Sequence, residues 1–180
     1  MKAATGVAIL VLAIPMLQGA LAPYFPGALR PDLALLVVFG LALCWRNSAT
    51  GLVLAAASGF AVDLFSAGLL GQHALLSVLV FGASRLLTVH MAMAGAVSRM
   101  LFAAVLTVAH AFGLAALTSF FTPGAGFGLL RPSYLGPHVV ANALVAPIVT
   151  GVVAGIAAWI SGEDTSGHRT LRIDTRRWVA

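Results

Sequence analysis

Long apolar runs separated by short polar or proline- and glycine-bearing breaks pattern this chain almost from end to end. A helix that crosses a bilayer needs about 20 mostly apolar residues, and several runs approach or exceed that length. The first, 3–22, follows Lys2 and stops at Pro23-Tyr24-Phe25-Pro26-Gly27, a helix breaker carrying two interfacial aromatics. Ala20-Leu21-Ala22 has the small-x-small form of a signal-peptidase site, but the apolar stretch before it is too long for a signal peptide, so it reads as a retained span. The second, 31–46, is short: its apolar part, Leu33 to Trp45, rises only about 20 Å through a core about 30 Å thick. Pro31 suits a first helical turn, Asp32 favours the positive end of a helix dipole, and the span can begin as far back as Gly27. Spans over 49–69, 73–89, 97–121 and 134–160 complete a predicted six-helix bundle, and 163–180 forms a basic tail.

Six crossings put both termini on one side. Lys2, Arg46, Arg85, Arg99, Arg169, Arg172, Arg176 and Arg177 then share that side, and only Arg30 and Arg131 fall opposite. This bias predicts a multi-pass protein of the inner (cytoplasmic) membrane with both ends in the cytoplasm. Composition agrees: 61% of residues are apolar and 8% charged, with mean hydropathy +1.03. So few charges cannot solvate a water-soluble globule of this size, and membrane lipid is the expected solvent. The net charge of +5 is scattered between apolar runs, without the basic face that nucleic acid would require. Cys44 is the lone cysteine and forms no internal bridge.

The polar residues inside the spans are few enough to take one at a time. No His/Cys cluster has metal spacing, no P-loop or H-E-x-x-H is present, and no catalytic residue, metal or cofactor is expected. A lipid-modifying enzyme would lack its nucleophile. His110, in mid-span, reads as a hydrogen-bonding partner for a neighbouring helix, with a proton-relay or ligand role as the alternative. Asp63 is an acid well inside an apolar run, where an unpartnered carboxylate is expensive. Gly51, Ala55, Gly59 and Asp63 recur every fourth residue, a small-residue stripe suited to close helix packing, so Asp63 faces protein. Three readings of Asp63 stand: capture of N–H groups in the Ser66–Gly71 turn, a pair with Asn142, or a partner or ligand contact. On the last span Pro147, Gly151, Gly155 and Trp159 make a second stripe, whose G-x-x-x-G reads as internal packing in preference to an oligomer face.

Taken in order, Arg30-Pro31-Asp32-Leu33-Ala34-Leu35-Leu36, Gly59-Phe60-Ala61-Val62-Asp63-Leu64-Phe65-Ser66, Gly68, Gly71, His73-Ala74-Leu75-Leu76 and Asn142-Ala143-Leu144-Val145-Ala146-Pro147 resemble the bacterial rod shape-determining MreD family. The resemblance runs from Pro23 to about Trp159, and its G-x-x-x-D…G-x-x-G-x-H-A-L block is specific only as a combination. It implies an all-α membrane bundle similar to the substrate-binding S components of energy-coupling-factor transporters. It also implies a non-enzymatic component of the rod or elongation complex that organises lateral peptidoglycan synthesis and cell shape. The implied partners are MreC, then RodA and a class B penicillin-binding transpeptidase directly or through MreC, with contact to MreB filaments as a further expectation. The tail after Gly162 is longer and more basic than the family pattern, and reads as an anchor on the anionic inner leaflet. The alternative expectation is a vitamin-binding S component, with an outer pocket built from Asp63, His73, His138 and Asn142.

Overall fold

The computed structural model describes residues 13–14, 16–20, 22–24, 26–45, 47–66, 69–90, 95–123 and 126–161. Most of the expected first span, Arg46, Gly68 and the 163–180 tail lie outside the described residues. Among the described residues every regular element is helical. Five α-helices follow one another: α1 (Leu33–Cys44), α2 (Ser48–Ser66), α3 (Gln72–His90), α4 (Ala96–Phe121) and α5 (Pro132–Ser161), with short 3-10 turns at Ala22–Tyr24, Gly27–Leu29 and Gly126–Leu130.

Among the described residues, four stretches are long and apolar enough to cross a membrane: Gly27–Cys44, Ser48–Ser66, Ala96–Phe121 and Pro132–Trp159. Helix α3 matches α2 in length at 19 residues. It begins Gln72-His73 and carries Arg85 within a largely apolar run.

Helix α1 is the axis of the bundle. It is apolar all round, and every residue from Ala34 to Ala42 is buried, the pattern of a helix enclosed by protein on all sides. It packs against α2, α3 and α5, and touches α4 through Phe39 stacked on Phe102, with ring centroids 5.3 Å apart. Enclosure explains why twelve residues suffice here: this helix presents its sides to other helices. Asp32 is its N-cap, its Oδ1 accepting the Leu35 N–H at 3.0 Å. Pro31 therefore lies one residue before the cap and not in the first turn. At the other end the Arg85 guanidinium of α3 donates to the Ala42 carbonyl at 3.1 Å, placing a cation on carbonyls the helix leaves unpaired.

The outer faces carry the opposite pattern to a soluble protein. Leu101, Val105 and Phe112 on α4 are exposed, as are Val140, Leu144, Ile148 and Val152 on α5 and Leu75, Leu79 and Leu86 on α3. Such apolar rows at near-helical spacing are what hydrocarbon, not water, would solvate, and the architecture is that of a helical multi-pass membrane protein.

Helix packing depends on several glycines, though not on the full predicted set. Gly51, Ala55 and Gly59 are buried on α2, and a Cβ on Gly59 would stand 2.3 Å from the His73 carbonyl oxygen and 2.6 Å from the Ala74 Cα. Gly113 of α4 lies against Leu76, and Gly40 of α1 against Val153, two close approaches the sequence did not single out. Gly151 and Gly155 are exposed with nothing within 4 Å of a built Cβ, so the expected internal packing of that G-x-x-x-G is corrected. Instead α5 turns Val153 and Ala157 inward.

Candidate functional site: two buried clasps around a polar cavity

Asp63, 1% exposed, is held at the end of α2 where the chain reverses into α3. Its Oδ2 accepts from the backbone N–H groups of Gly71 at 3.0 Å and Ala74 at 3.2 Å. Its Oδ1 accepts from the His73 backbone N–H at 3.1 Å and lies 2.8 Å from His73 Nδ1. Donors alone converge on it, the coordination of a carboxylate, and the imidazole must then donate its Nδ1–H. These N–H groups include the orphans of the first turn of α3, so the carboxylate also sits at the positive end of that helix dipole. Gly71 makes the turn possible with a φ of +95°, a region that L side chains rarely adopt. Gly59, one helical turn before Asp63, removes the side chain that would hold α3 away from the carboxylate. The spacing G-x-x-x-D…G-x-H-A is thus one mechanical device.

Asn142 does not pair with Asp63; that expectation is corrected. It belongs to a second clasp, fully buried on α5. Its Oδ1 accepts the Asp32 backbone N–H at 2.7 Å, and its Nδ2 donates to Thr107 Oγ1 at 3.0 Å. The Thr107 hydroxyl in turn donates to the Ala103 carbonyl at 2.7 Å. This clasp ties together the start of α1, the middle of α4 and α5. Nothing in the spacing announced it, because its three members are separated by 75 residues (Asp32 to Thr107) and 35 residues (Thr107 to Asn142).

Between the clasps lies a cavity of about 260 Å³ lined by the polar groups of Asp32, His73, Thr107, His110 and His138, with Arg30, Gln18 and Tyr134 and the apolar Ala111, Leu114 and Leu135 also on its wall. The rings of His73 and His110 are 6.2 Å apart, and Tyr134 stacks on His138 at 5.8 Å. His110 Nδ1 stands 3.9 Å from Asp32 Oδ2, beyond hydrogen-bond reach, so the expected bond from His110 to a neighbouring helix is replaced by a place on this wall. Of the four residues expected to form an outer pocket, His73 and His138 line the cavity. Asp63 and Asn142 stand behind them as supports. Asp32 and Thr107 were not expected there, and His110 only through its alternative reading as a relay or ligand residue; the one available signal was that each is polar within or beside an apolar span. Among the described residues no group of three or more His, Cys, Asp or Glu side chains is placed to hold a metal ion.

Arg30 follows the Gly27–Leu29 turn, Pro31 precedes the Asp32 cap, and Pro147 lies inside α5 five residues after Asn142. No family model matches the chain, and no curated protein and no solved structure is significantly similar to it.

Proposed function

We propose that this chain is a non-enzymatic component of the bacterial rod complex: an MreD-like, six-span inner-membrane scaffold that binds MreC and, with RodA and a class B transpeptidase, organises lateral wall synthesis. The observation that supports it is where the resembling residues go. Asp32 and Asn142 meet across the bundle, and Gly59, Asp63, Gly71 and His73 form one turn. The segments that carry the resemblance are therefore the ones that fix helix to helix. A shared architecture leaves that trace in a sequence; shared reaction chemistry would leave reactive groups instead. Rigid clasps at the helix ends, combined with apolar outer faces, suit a protein that presents a fixed surface to partner spans.

Deleting the gene in its rod-shaped host is expected to round the cells, and the tagged protein is expected to carry an MreC-like protein through detergent purification. Unchanged morphology together with no such partner sinks the proposal. The scaffold orientation adds a topological expectation: a reporter fused after Ala180 is active in the cytoplasm.

The vitamin-binding alternative draws support from the polar cavity. Its volume of about 260 Å³ lies just under the roughly 300–1,000 Å³ of pockets for drug-sized ligands, and Ala111, Leu114 and Leu135 give its wall only a limited apolar share.

A further inference from the structure

The Asn142 clasp has a fixed polarity. The Asp32 backbone N–H can only donate, so the amide oxygen faces it, and the amide nitrogen faces Thr107 and, at 3.5 Å, His138 Nε2. Thr107 spends its own hydrogen on the Ala103 carbonyl, so it too receives from Asn142. His138 Nε2 must then turn a lone pair to the amide. The ring proton sits on Nδ1, which is enclosed and has no hydrogen-bond partner among the described residues. Neutral imidazole fits this place in that one tautomer. Imidazolium does not fit, because it sets an Nε2–H against the Asn142 N–H and keeps an Nδ1–H that nothing accepts. A buried donor without an acceptor costs free energy, and more when it carries charge.

The groups around His138 decide where a charged ring would go. Tyr134 stacks on it from the same helix, His110 reaches the cavity from α4, and His73 reaches it from α3 with Asp63 behind. The Gly126–Leu130 turn carries no titratable side chain, and Arg131 after it is exposed. At the start of α1 stand Arg30, itself engaged, and Asp32. Asp32 uses Oδ1 for its helix cap, and its side chain is 20% accessible. Asp32 is therefore the carboxylate that draws a charged His138 away from Asn142. Pro147, five residues after Asn142, has no N–H to give the Ala143 carbonyl, so α5 lacks a ladder hydrogen bond there and bends easily. We propose that the Asn142 clasp is an acid-sensitive latch: proton uptake by His138 from the cavity breaks its contact with Asn142, releases the N-terminal part of α5 from α1 and α4, and lets it swing about Pro147. Imidazole is the side chain whose charge ordinarily changes between about pH 5 and 8, which sets the working range. The latch goes beyond the scaffold reading and does not rest on it.

The test is a distance measurement by pulsed electron spin resonance on the purified full chain in detergent, with Cys44 replaced by serine. Spin labels on Gly136→Cys and Leu64→Cys, both exposed positions, report the N-terminal part of α5 against α2. Labels on Val152→Cys and Val53→Cys, exposed beyond Pro147, serve as the control pair. Between pH 8 and pH 5 the first pair is expected to gain a longer-distance population, its ratio to the short one rising about fivefold or more. The control pair is expected to stay unchanged. His138→Gln, which stays neutral and still offers an accepting oxygen, is expected to hold the short distance at both pH values. His110→Gln is expected to leave the acid response in place. Asn142→Ala has no clasp to release and is expected to show the longer population at both pH values. An unchanged distance in the parent, an acid response that survives His138→Gln, its loss in His110→Gln, or a short distance throughout in Asn142→Ala would each overturn the latch. Co-purification of an MreC-like protein reads the scaffold proposal separately, so either can fail alone.

Discussion

At the scale of single residues, Asp63 shows how an acid is kept inside a membrane bundle. Its two oxygens share backbone N–H groups of Gly71, His73 and Ala74 and the His73 imidazole, so the carboxylate exchanges water for fixed donors at a helix start. Asp63→Asn retains one accepting oxygen and sets an amide nitrogen against the remaining donors, at about 1–3 kcal/mol per N–H left unpaired. Asp63→Leu orphans every donor and is expected to be the worse of the two, read as the loss of folded protein on titration with SDS. Equal loss in both variants would contradict this. The glycines make a second contrast. Gly59→Ala drives a methyl into the His73–Ala74 backbone, which cannot yield as a side chain can, and is expected to cost more than about 3 kcal/mol. Gly155→Ala meets open space within a helix and is expected to be neutral or to stabilise by about 0.5 kcal/mol. If the two alanine variants melt alike, the close approach of α2 and α3 is not what the glycine serves.

At the scale of elements, the helix ends are where tertiary partners replace local caps. Asn47 caps α2 locally, accepting from Ala49 and Thr50 N–H at 3.0 and 3.2 Å. Helix α3, in contrast, takes its N-terminal acceptor from Asp63 on the preceding helix, and α1 takes a cation at its C-terminus from Arg85 on α3. Arg85 thus has a structural use besides any contribution to topology. Arg85→Leu keeps the apolar stem and removes the donor to Ala42. The expected loss is about 1 kcal/mol, the scale of a cation at a partly buried helix C-terminus. It should appear in SDS unfolding, while Arg85→Lys recovers part of it. A leucine variant as stable as the parent would show that the carbonyl is adequately paired without the guanidinium.

At the scale of the whole molecule, a fully enclosed α1 and outward rows of Leu, Val, Ile and Phe define a bundle whose exterior suits lipid. Three helices, α2, α3 and α4, lie between Asn47 and the Gly126–Leu130 turn. An odd number of crossings puts those two points on opposite faces of the membrane. With Cys44 replaced by serine, single cysteines at positions 47 and 128 are expected to react with a membrane-impermeant maleimide from opposite sides of intact and inverted vesicles. Labelling of both from one side would mean that one of the three helices does not cross; α3, the least apolar of the three in composition, is the first to question.

What the sequence determined by itself was the solvent and the elements. Apolar run lengths and their proline, glycine and aromatic breaks located the five described helices to within a few residues, because in lipid the backbone must satisfy its own hydrogen bonds and a long apolar run has few options besides a helix. The isolated acid also announced that it faced protein, since a lone carboxylate in hydrocarbon would be too costly. Partner choice was decided only by the tertiary structure. Asp63 finding α3, Asn142 finding Asp32 and Thr107, and His73, His110 and His138 gathering on one cavity wall depend on how helices distant in sequence rotate about their axes. Spacing along one helix fixes which residues share a face, as it did for Gly51 to Asp63 and for Gly151 and Gly155. Whether that face meets another helix or opens outward is set by the neighbours, and for those two stripes they gave opposite answers.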